Sequence, residues 1–191
     1  MSIIATDLDG TIFKGQTLIG GVKEGLLEIF NEGIEIYYTT NNSSQTPNEI
    51  KDKLENLLNL NIDISKIITP LVIFENLYPD NKLNIFIYGS ENLEKYIRNL
   101  NMNVTSLENA ELILIGRKEE NNFSEIKKII KNVSLGKNIL CLNKDLTFPT
   151  EFGEKPGNGA VVKIIEDELL ISIPTLGKSG YHYSSYLYKT K

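Results

Sequence analysis

Residues 3–11 read IIATDLDGT, and this stretch decides the fold that the sequence predicts. Its first four residues form a short, largely apolar run that is typical of a buried strand. Asp7 and Asp9 follow where that strand ends, and side chains two residues apart leave a strand on the same side. Because open α/β sheets bind ligands at the carboxyl ends of their strands, we expect both carboxylates to face one site.

The rest of the sequence alternates strand-like runs with helical patterns, which predicts right-handed crossovers and mostly parallel sheets. Further strands are expected at residues 34–39, 67–68, 85–88, 112–115 and 139–142. Helices are expected at residues 22–30, 46–58, 70–77, 93–100, 123–133 and 159–165. The helix that begins near Thr46 is the best marked, because TPNE is a capping box with proline at the first helical position. The alternation restarts near Asn81, which predicts a second α/β module.

Composition bounds the class of protein. With 41% hydrophobic and 24% charged residues, the 191-residue chain can bury a core. A formal net charge of -5, without clustered Lys and Arg, argues against nucleic acid as a partner. Cys141, the single cysteine, lies in an apolar run and is expected to be a core thiol rather than a nucleophile. The sequence shows no signal peptide and no membrane span, so a cytoplasmic location is expected.

The carboxylate pair suggests a specific chemistry. Two neighbouring carboxylates repel, which raises the pKa of one so that it keeps a proton while the other stays ionised and nucleophilic. A phosphate ester approaches such a pair only if charge is neutralised, and oxygen ligands beside phosphate favour Mg²⁺. Two alternatives stay open: a simple strand-ending turn at Gly10, or a calcium loop. The calcium loop fits worse because its glycine belongs at the sixth position, whereas Gly10 is fourth from Asp7.

Two further polar segments follow strands. Residues 39–44 read TTNNSS, and their hydroxyl and amide groups could hold phosphate oxygens or simply cap the next helix. Lys178 follows the apolar residues 171–176 and supplies a cation, although a lone lysine is usually only solvated.

The tail, residues 179–191, shows no periodic pattern. It holds four of the nine tyrosines and the only histidine of the chain. We expect a disordered or non-native end there and leave His182 out of the catalytic set.

Five segments, in this order, resemble the haloacid dehalogenase superfamily. They are DLDGT at 7–11, TNN at 40–42, NKDLTFPT at 143–150, PGNGA at 156–160 and GK at 177–178. More narrowly, they resemble its NagD and p-nitrophenyl phosphatase branch, and the resemblance spans residues 3–178. It implies a Rossmann-like core with a parallel sheet and an inserted α/β cap of type C2. The implied core is residues 1–80 and 174–191, and the implied cap is residues 81–173.

The resemblance also implies the roles of the two aspartates. Asp7 would be the nucleophile that forms a phosphoaspartyl intermediate. Asp9 would be the general acid for the leaving group and then the base for water. Both would contribute to binding Mg²⁺. The implied activity is hydrolysis of a small phosphorylated metabolite, such as a sugar or nucleotide phosphate.

Five other residues receive implied roles. Thr40, with Asn41 beside it, would bind the phosphoryl group, and Lys178 would neutralise both the nucleophile and the phosphate. Asn143 and Asp145 belong to the cap signature and are expected to shape the substrate pocket. A small phosphate ester is therefore the expected partner.

One departure from the family pattern opens alternatives. Family members continue past the lysine into a strand that carries a Gly-Asp pair and a further Asp for Mg²⁺, whereas no acidic residue follows Lys178 here, and Ser179 replaces the usual proline. We therefore expect a core that is incomplete at its C-terminus, an incomplete metal site, and a first strand left as an exposed apolar edge. The chain could then be an inactive fragment or a binding module. A dehalogenase is less favoured, because the C2 cap and Asp9 both suit phosphate esters. The particular ester and the oligomeric state leave no mark in the sequence.

Overall fold

A computed structural model describes residues 2–80, 82–150 and 153–189, without the side chains of residues 149 and 150. Asn81 and residues 151–152 of the expected cap lie outside the described residues, as do Met1 and residues 190–191 of the expected core. In the described part of the chain, no helix combines the length and the apolar character needed to cross a membrane.

The first half of the chain builds a small parallel sheet. In chain order, its elements are β1 (Ile3–Asp7), β2 (Phe13–Lys14), β3 (Thr17–Leu18), α1 (Val22–Asn31), β4 (Glu35–Thr39), α2 (Pro47–Leu58), a 3₁₀ helix (Ile64–Lys66), β5 (Ile67–Ile68) and α3 (Pro70–Leu77). The sheet has the order β1-β4-β5, while β2 and β3 form a separate antiparallel hairpin. Asp7 lies opposite Thr39 in the parallel register of β1 and β4. The polar residues that follow these two strands therefore emerge at the same edge.

The second half builds a larger parallel sheet. Its elements are β6 (Asn84–Tyr88), α4 (Glu91–Asn99), β7 (Asn103–Val104), β8 (Leu112–Ile115), α5 (Phe123–Ser134), β9 (Asn138–Cys141), β10 (Thr147–Thr150), β11 (Gly153–Pro156), α6 (Asn158–Leu169) and α7 (Tyr181–Lys189). The sheet has the order β7-β6-β8-β9, and β10 pairs with β11 as an antiparallel hairpin. The predicted strands and helices are confirmed, whereas the two hairpins, the 3₁₀ helix, β7 and α7 were not predicted.

Helix α2 shows why these residues form these elements. The Thr46 hydroxyl accepts a hydrogen bond from the Glu49 N–H at 3.2 Å, and the Glu49 carboxylate accepts one from the Thr46 N–H at 2.7 Å. The predicted capping box is therefore confirmed. Leu54 and Leu58 lie one turn apart on the inner face and are completely buried. Leu54→Ala would leave a cavity and destabilise the chain by about 2–5 kcal/mol.

One apolar cluster joins the two sheets. It contains Tyr37 and Phe74 from the first half, Leu93 and Leu112 from the second, and Tyr183 from α7. Because protein interiors are closely packed, this shared core fixes the two sheets relative to each other. The carboxyl ends of β1 and β4 are thereby held against loops of the second half.

Two expectations about buried and exposed groups are confirmed. Cys141 is fully buried, and burial raises the pKa of its thiol to about 11, so it is not a nucleophile at neutral pH. β1 is an edge strand of its sheet within the described residues, and Ile4 is 37% exposed on it. The apolar edge that the sequence predicted is therefore present.

The expectation of a disordered tail is wrong for residues 181–189. These residues form α7, in which Tyr183 is buried while Tyr186 and Leu187 pack against the shared core. The three side chains have the spacing i, i+3, i+4, which places them on one face of a helix. This spacing was the signal in the sequence, and the many tyrosine hydroxyls obscured it.

Candidate active site

A cavity of about 440 Å³ lies at the carboxyl ends of β1 and β4, where it meets loops of the second half. All the site residues that the sequence predicted line this single cavity. They are Asp7, Asp9, Thr40, Asn41, Asn143, Asp145 and Lys178. The structure thus brings together residues that are up to 171 positions apart in the sequence. A volume of this size suits a small ligand.

Asp7 lies at the end of β1 with a cation against it. Its Oδ1 atom is 2.6 Å from the Lys178 Nζ and accepts a hydrogen bond of 2.7 Å from the Leu8 N–H. The Asp7 side chain is 47% exposed, so the pair adds little to stability. The carboxylate is instead oriented and accessible, as a nucleophile requires.

Asp9 is adapted to hold a proton. Burial raises its pKa above the usual value for aspartate and outweighs the opposing effect of Lys53, while Asp7 raises it further and Lys178 lowers it. The Lys53 ammonium lies 3.6 Å from the centre of the Phe13 ring, and Phe13 forms a β-bridge with Asp9. The raised pKa suits Asp9 to act as an acid.

The backbone turn after Asp9 depends on a glycine. Gly10 has a φ of 82°, in the left-handed region that glycine adopts most easily. Its N–H donates to the carbonyl of Phe13 at 2.8 Å. The turn therefore places the first residue of β2 beside Asp9.

Asn41 connects three parts of the site. Its Nδ2 donates to Asp145 Oδ1 at 3.0 Å, its Oδ1 accepts from the Lys178 N–H at 2.7 Å, and its carbonyl accepts from Asn143 Nδ2 at 2.8 Å. These bonds hold the loop after β4 against both the lysine loop and the loop after β9. The Asn41 side chain is therefore engaged in positioning its neighbours.

The backbone of Thr40 is hydrogen-bonded to Tyr183 of α7. Thr40 is buried, and its N–H lies 3.2 Å from the hydroxyl of Tyr183 and 3.1 Å from the carbonyl of Ile68. Its own hydroxyl accepts a bond of 2.9 Å from the Asn42 N–H. The backbone at Thr40 is thus fixed, while the hydroxyl keeps its proton available for donation.

Asn143 and Asn158 fix the loop that enters the cavity from the second half. Asn158, at the start of α6, donates from Nδ2 to the carbonyls of Asn143 at 2.9 Å and Ile115 at 3.2 Å. Gly159 follows directly, and a Cβ there would lie 2.1 Å from the carbonyl oxygen of Lys144. This contact explains why the sequence places glycine in the PGNGA segment.

Three residues near the site were not predicted from the sequence: Arg117, Phe148 and Lys53. Arg117 and Phe148 line the cavity, and Lys53 acts on Asp9 through its charge. Arg117 had one available signal, because it is one of only two arginines in the chain. Lys53 had none, since one lysine of an amphipathic helix looks like any other.

The chemistry of the donor set fits the Mg²⁺ that the sequence predicted. In proteins this ion usually takes one or two carboxylates and completes its shell with water and substrate phosphate. Asp7 and Asp9 provide two carboxylates that line the same cavity. Among residues 2–80, 82–150 and 153–189, no cluster of three or more acidic, histidine or cysteine side chains could hold a metal. Asp7 and Asp9 are the residues that would hold the ion, and they would do so with water and substrate phosphate.

Comparisons with known proteins define the class. A family model described as haloacid dehalogenase-like hydrolase matches residues 4–103, which is more than half of the chain. The chain belongs to this family.

Two curated relatives are acid sugar phosphatases. That of Staphylococcus haemolyticus is 29% identical over 161 residues, which are 83% of this chain and 61% of that protein. One from Staphylococcus epidermidis is 25% identical over 174 residues, 90% of this chain and 67% of that protein. The chain thus spans about two thirds of the length of these relatives, or slightly less.

Solved structures share the fold. A hypothetical protein from Pyrococcus horikoshii OT3 superposes with a TM-score of 0.86 at 23% identity, covering 100% of this chain and 77% of that one. A variant of the thermostable p-nitrophenylphosphatase from Bacillus stearothermophilus gives 0.78 at 27% identity, covering 98% and 73%. These matches confirm the α/β fold and the resemblance to the p-nitrophenyl phosphatase branch.

Proposed function

We propose that this chain hydrolyses phosphate monoesters of small metabolites, with Asp7 as the nucleophile. The observation that carries the proposal is the arrangement around Asp7. Its carboxylate is 2.6 Å from the Lys178 ammonium and shares a cavity with Asp9, whose pKa is raised by burial. The family membership supports a hydrolase. The relatives carry the names acid sugar phosphatase and p-nitrophenylphosphatase, which favour phosphate esters as substrates.

The first step transfers the phosphoryl group to Asp7. Both contacts to this carboxylate fall on Oδ1, so we assign Oδ2 to the attack on phosphorus. The bond between Oδ2 and phosphorus forms as the bond from phosphorus to the leaving oxygen breaks. Asp9 donates its proton to that oxygen, and Lys178 offsets negative charge beside the nucleophile.

The second step releases phosphate. Asp9, now ionised, takes a proton from a water molecule whose oxygen attacks phosphorus. The bond from phosphorus to Asp7 breaks, which restores the carboxylate and yields inorganic phosphate. Thr40 can donate a hydrogen bond to a phosphoryl oxygen throughout. When bound at Asp7 and Asp9, Mg²⁺ would neutralise phosphate charge that otherwise repels the nucleophile.

We also propose that the chain divides into the core at residues 1–80 and 174–191 and the cap at 81–173. The support is that the two parallel sheets fall on opposite sides of residue 81. Asn143 and Asp145 would then be the cap's contribution to the substrate pocket.

The test is hydrolysis of p-nitrophenyl phosphate by the purified chain, with and without Mg²⁺. Asp7→Asn should reduce kcat by at least about 10³-fold, because it removes the attacking oxygen. Asp52→Asn is the matched control, since this exposed carboxylate lies on α2 and not in the cavity wall. Equal turnover in the wild type and Asp7→Asn would overturn the assignment of Asp7, and no turnover in either would favour the inactive fragment or binding module.

A further inference from the structure

Arg117 carries a charge in the cavity that the mechanism does not use. It follows β8, and its guanidinium carbon lies 3.8 Å from the centre of the Phe148 ring. Its Nη1 atom is 3.5 Å from the Ser44 hydroxyl, at the limit of a hydrogen bond. Within the described part of the chain, no carboxylate pairs with Arg117, whereas Arg98 pairs with Glu94 at 2.7 Å.

The stacked arrangement leaves Arg117 ready to bind an anion. A guanidinium packed on a ring face keeps its N–H donors at the rim of its plane, where they can bind a carboxylate or phosphate through two parallel bonds. Phe148 also limits the rotation of the side chain, so less freedom is lost on binding. The partly buried Arg117 therefore provides a preorganised anion-binding group in the wall of the cavity.

Arg117 is distinct from the cation that serves the reacting phosphoryl group. Lys178 lies against Asp7 at 2.6 Å, so the transferred group already meets a positive charge at the nucleophile. Arg117 enters the cavity from the second sheet, beyond β8, whereas Asp7 enters from the first. A substrate held at Asp7 would therefore present its non-reacting part toward the sheet that carries Arg117.

We propose that Arg117, stacked on Phe148, binds a second anionic group of the substrate. The preferred substrates are then small phosphate monoesters that also carry a carboxylate or a second phosphate. This inference rests on the proposed phosphatase function and gives it a substrate class. Arg117 is accordingly a specificity-determining residue.

The experiment compares esters that differ in one group. 3-Phosphoglycerate and glycerol 3-phosphate share a backbone and differ in a carboxylate, while fructose 1,6-bisphosphate and fructose 6-phosphate differ in a phosphate. Arg117→Gln should lower kcat/KM about 10- to 100-fold for the ester with two anionic groups in at least one pair. For the ester whose only anionic group is the reacting phosphate, kcat/KM should change by less than about threefold. The pair that responds identifies carboxylate or phosphate as the ligand.

Two variants serve as controls. Arg98→Gln makes the same change of charge on α4, outside the cavity wall, and should leave both esters unaffected. Arg117→Lys keeps the charge but lacks the planar guanidinium. It should lower kcat/KM about tenfold for the ester with two anionic groups and leave the other ester unaffected. An equal loss on both members of each pair would overturn the proposal, because a purely structural contact between Arg117 and Ser44 would act on every substrate.

A second readout separates this inference from the proposed function. If the wild-type chain hydrolyses none of the esters, the proposed function fails, and calorimetric titration of the same esters still tests Arg117. If the wild type binds an ester with two anionic groups more tightly than Arg117→Gln does, the inference is supported. Equal binding by the two proteins would overturn it. If Arg117→Gln does not fold, Phe148→Leu takes its place, because it removes the ring on which Arg117 stacks. Its binding of the same esters is compared with that of the wild type.

Discussion

Replacing Tyr183 with phenylalanine removes one buried hydroxyl and leaves the ring in place. This hydroxyl donates to the carbonyl of Ile68 at 2.8 Å and accepts from the N–H of Thr40 at 3.2 Å. The Thr40 N–H also donates to the Ile68 carbonyl at 3.1 Å, so neither backbone group loses its last partner. We therefore expect the ordinary value of one hydrogen bond, a loss of about 1 kcal/mol in the free energy of unfolding.

Tyr183→Ala should be considerably worse, because it also empties the space of the ring. Tyr183 is only 1% exposed within the shared core, and truncation of a buried aromatic side chain typically destabilises by about 3–5 kcal/mol. The assay is urea unfolding followed by circular dichroism. Tyr181→Phe, on the same helix but 80% exposed, is the matched control and should match the wild type.

Two outcomes of the unfolding measurements on the Tyr183 variants would contradict these expectations. If Tyr183→Ala unfolds within about 0.5 kcal/mol of the wild type, α7 contributes nothing to the folded state and the packing argument is refuted. If Tyr183→Phe loses as much as Tyr183→Ala, the hydroxyl rather than the ring holds the helix. The first result would also remove the support that α7 gives to the backbone of Thr40, whereas the second would assign that support to the hydroxyl.

Three other changes test the site. Lys53→Met removes a cation that lowers the pKa of Asp9, so the alkaline limb of the pH–kcat profile should move to higher pH, and an unmoved limb would contradict this. Gly177→Ala would place a Cβ 2.9 Å from Asn41 Oδ1 and should reduce kcat/KM about tenfold. Unchanged kcat/KM would show that the loop around residue 177 shifts to make room for the methyl group. Lys178→Met should reduce kcat at least about 100-fold, and a small effect would mean that the charge near the nucleophile is neutralised by another group.

The sequence predicted that the polar residues after β1 and β4 would lie together, because a simple rule governs their placement. Parallel strands align their carboxyl ends, so the polar residues after β1 and β4 had to lie at one edge. Asn143 and Asp145 could be assigned only through the family resemblance, since nothing in their local pattern indicates that they contact Asn41. The bonds of Asn41 to Asp145 and to the Lys178 N–H hold these three segments together in the folded chain.

Other features could not be predicted from local patterns. Arg117 and Lys53 depend on which rings and carboxylates the fold brings near them, and a single cation in a sequence resembles a solvated one. The role of Tyr183 depends on backbone groups more than 100 residues away in the chain. Its burial is favourable because the hydroxyl finds carbonyl and N–H partners there, which no composition argument can supply.

The most direct test of the central claim is to trap the covalent intermediate. The purified chain is mixed with a phosphate ester and Mg²⁺, quenched in acid within one turnover, digested and analysed by mass spectrometry. We expect a phosphoryl group on the peptide that contains Asp7, and none in Asp7→Asn. Hydrolysis that proceeds with no phosphorylated Asp7, or with the group on another residue, would contradict the assignment of Asp7 as the nucleophile.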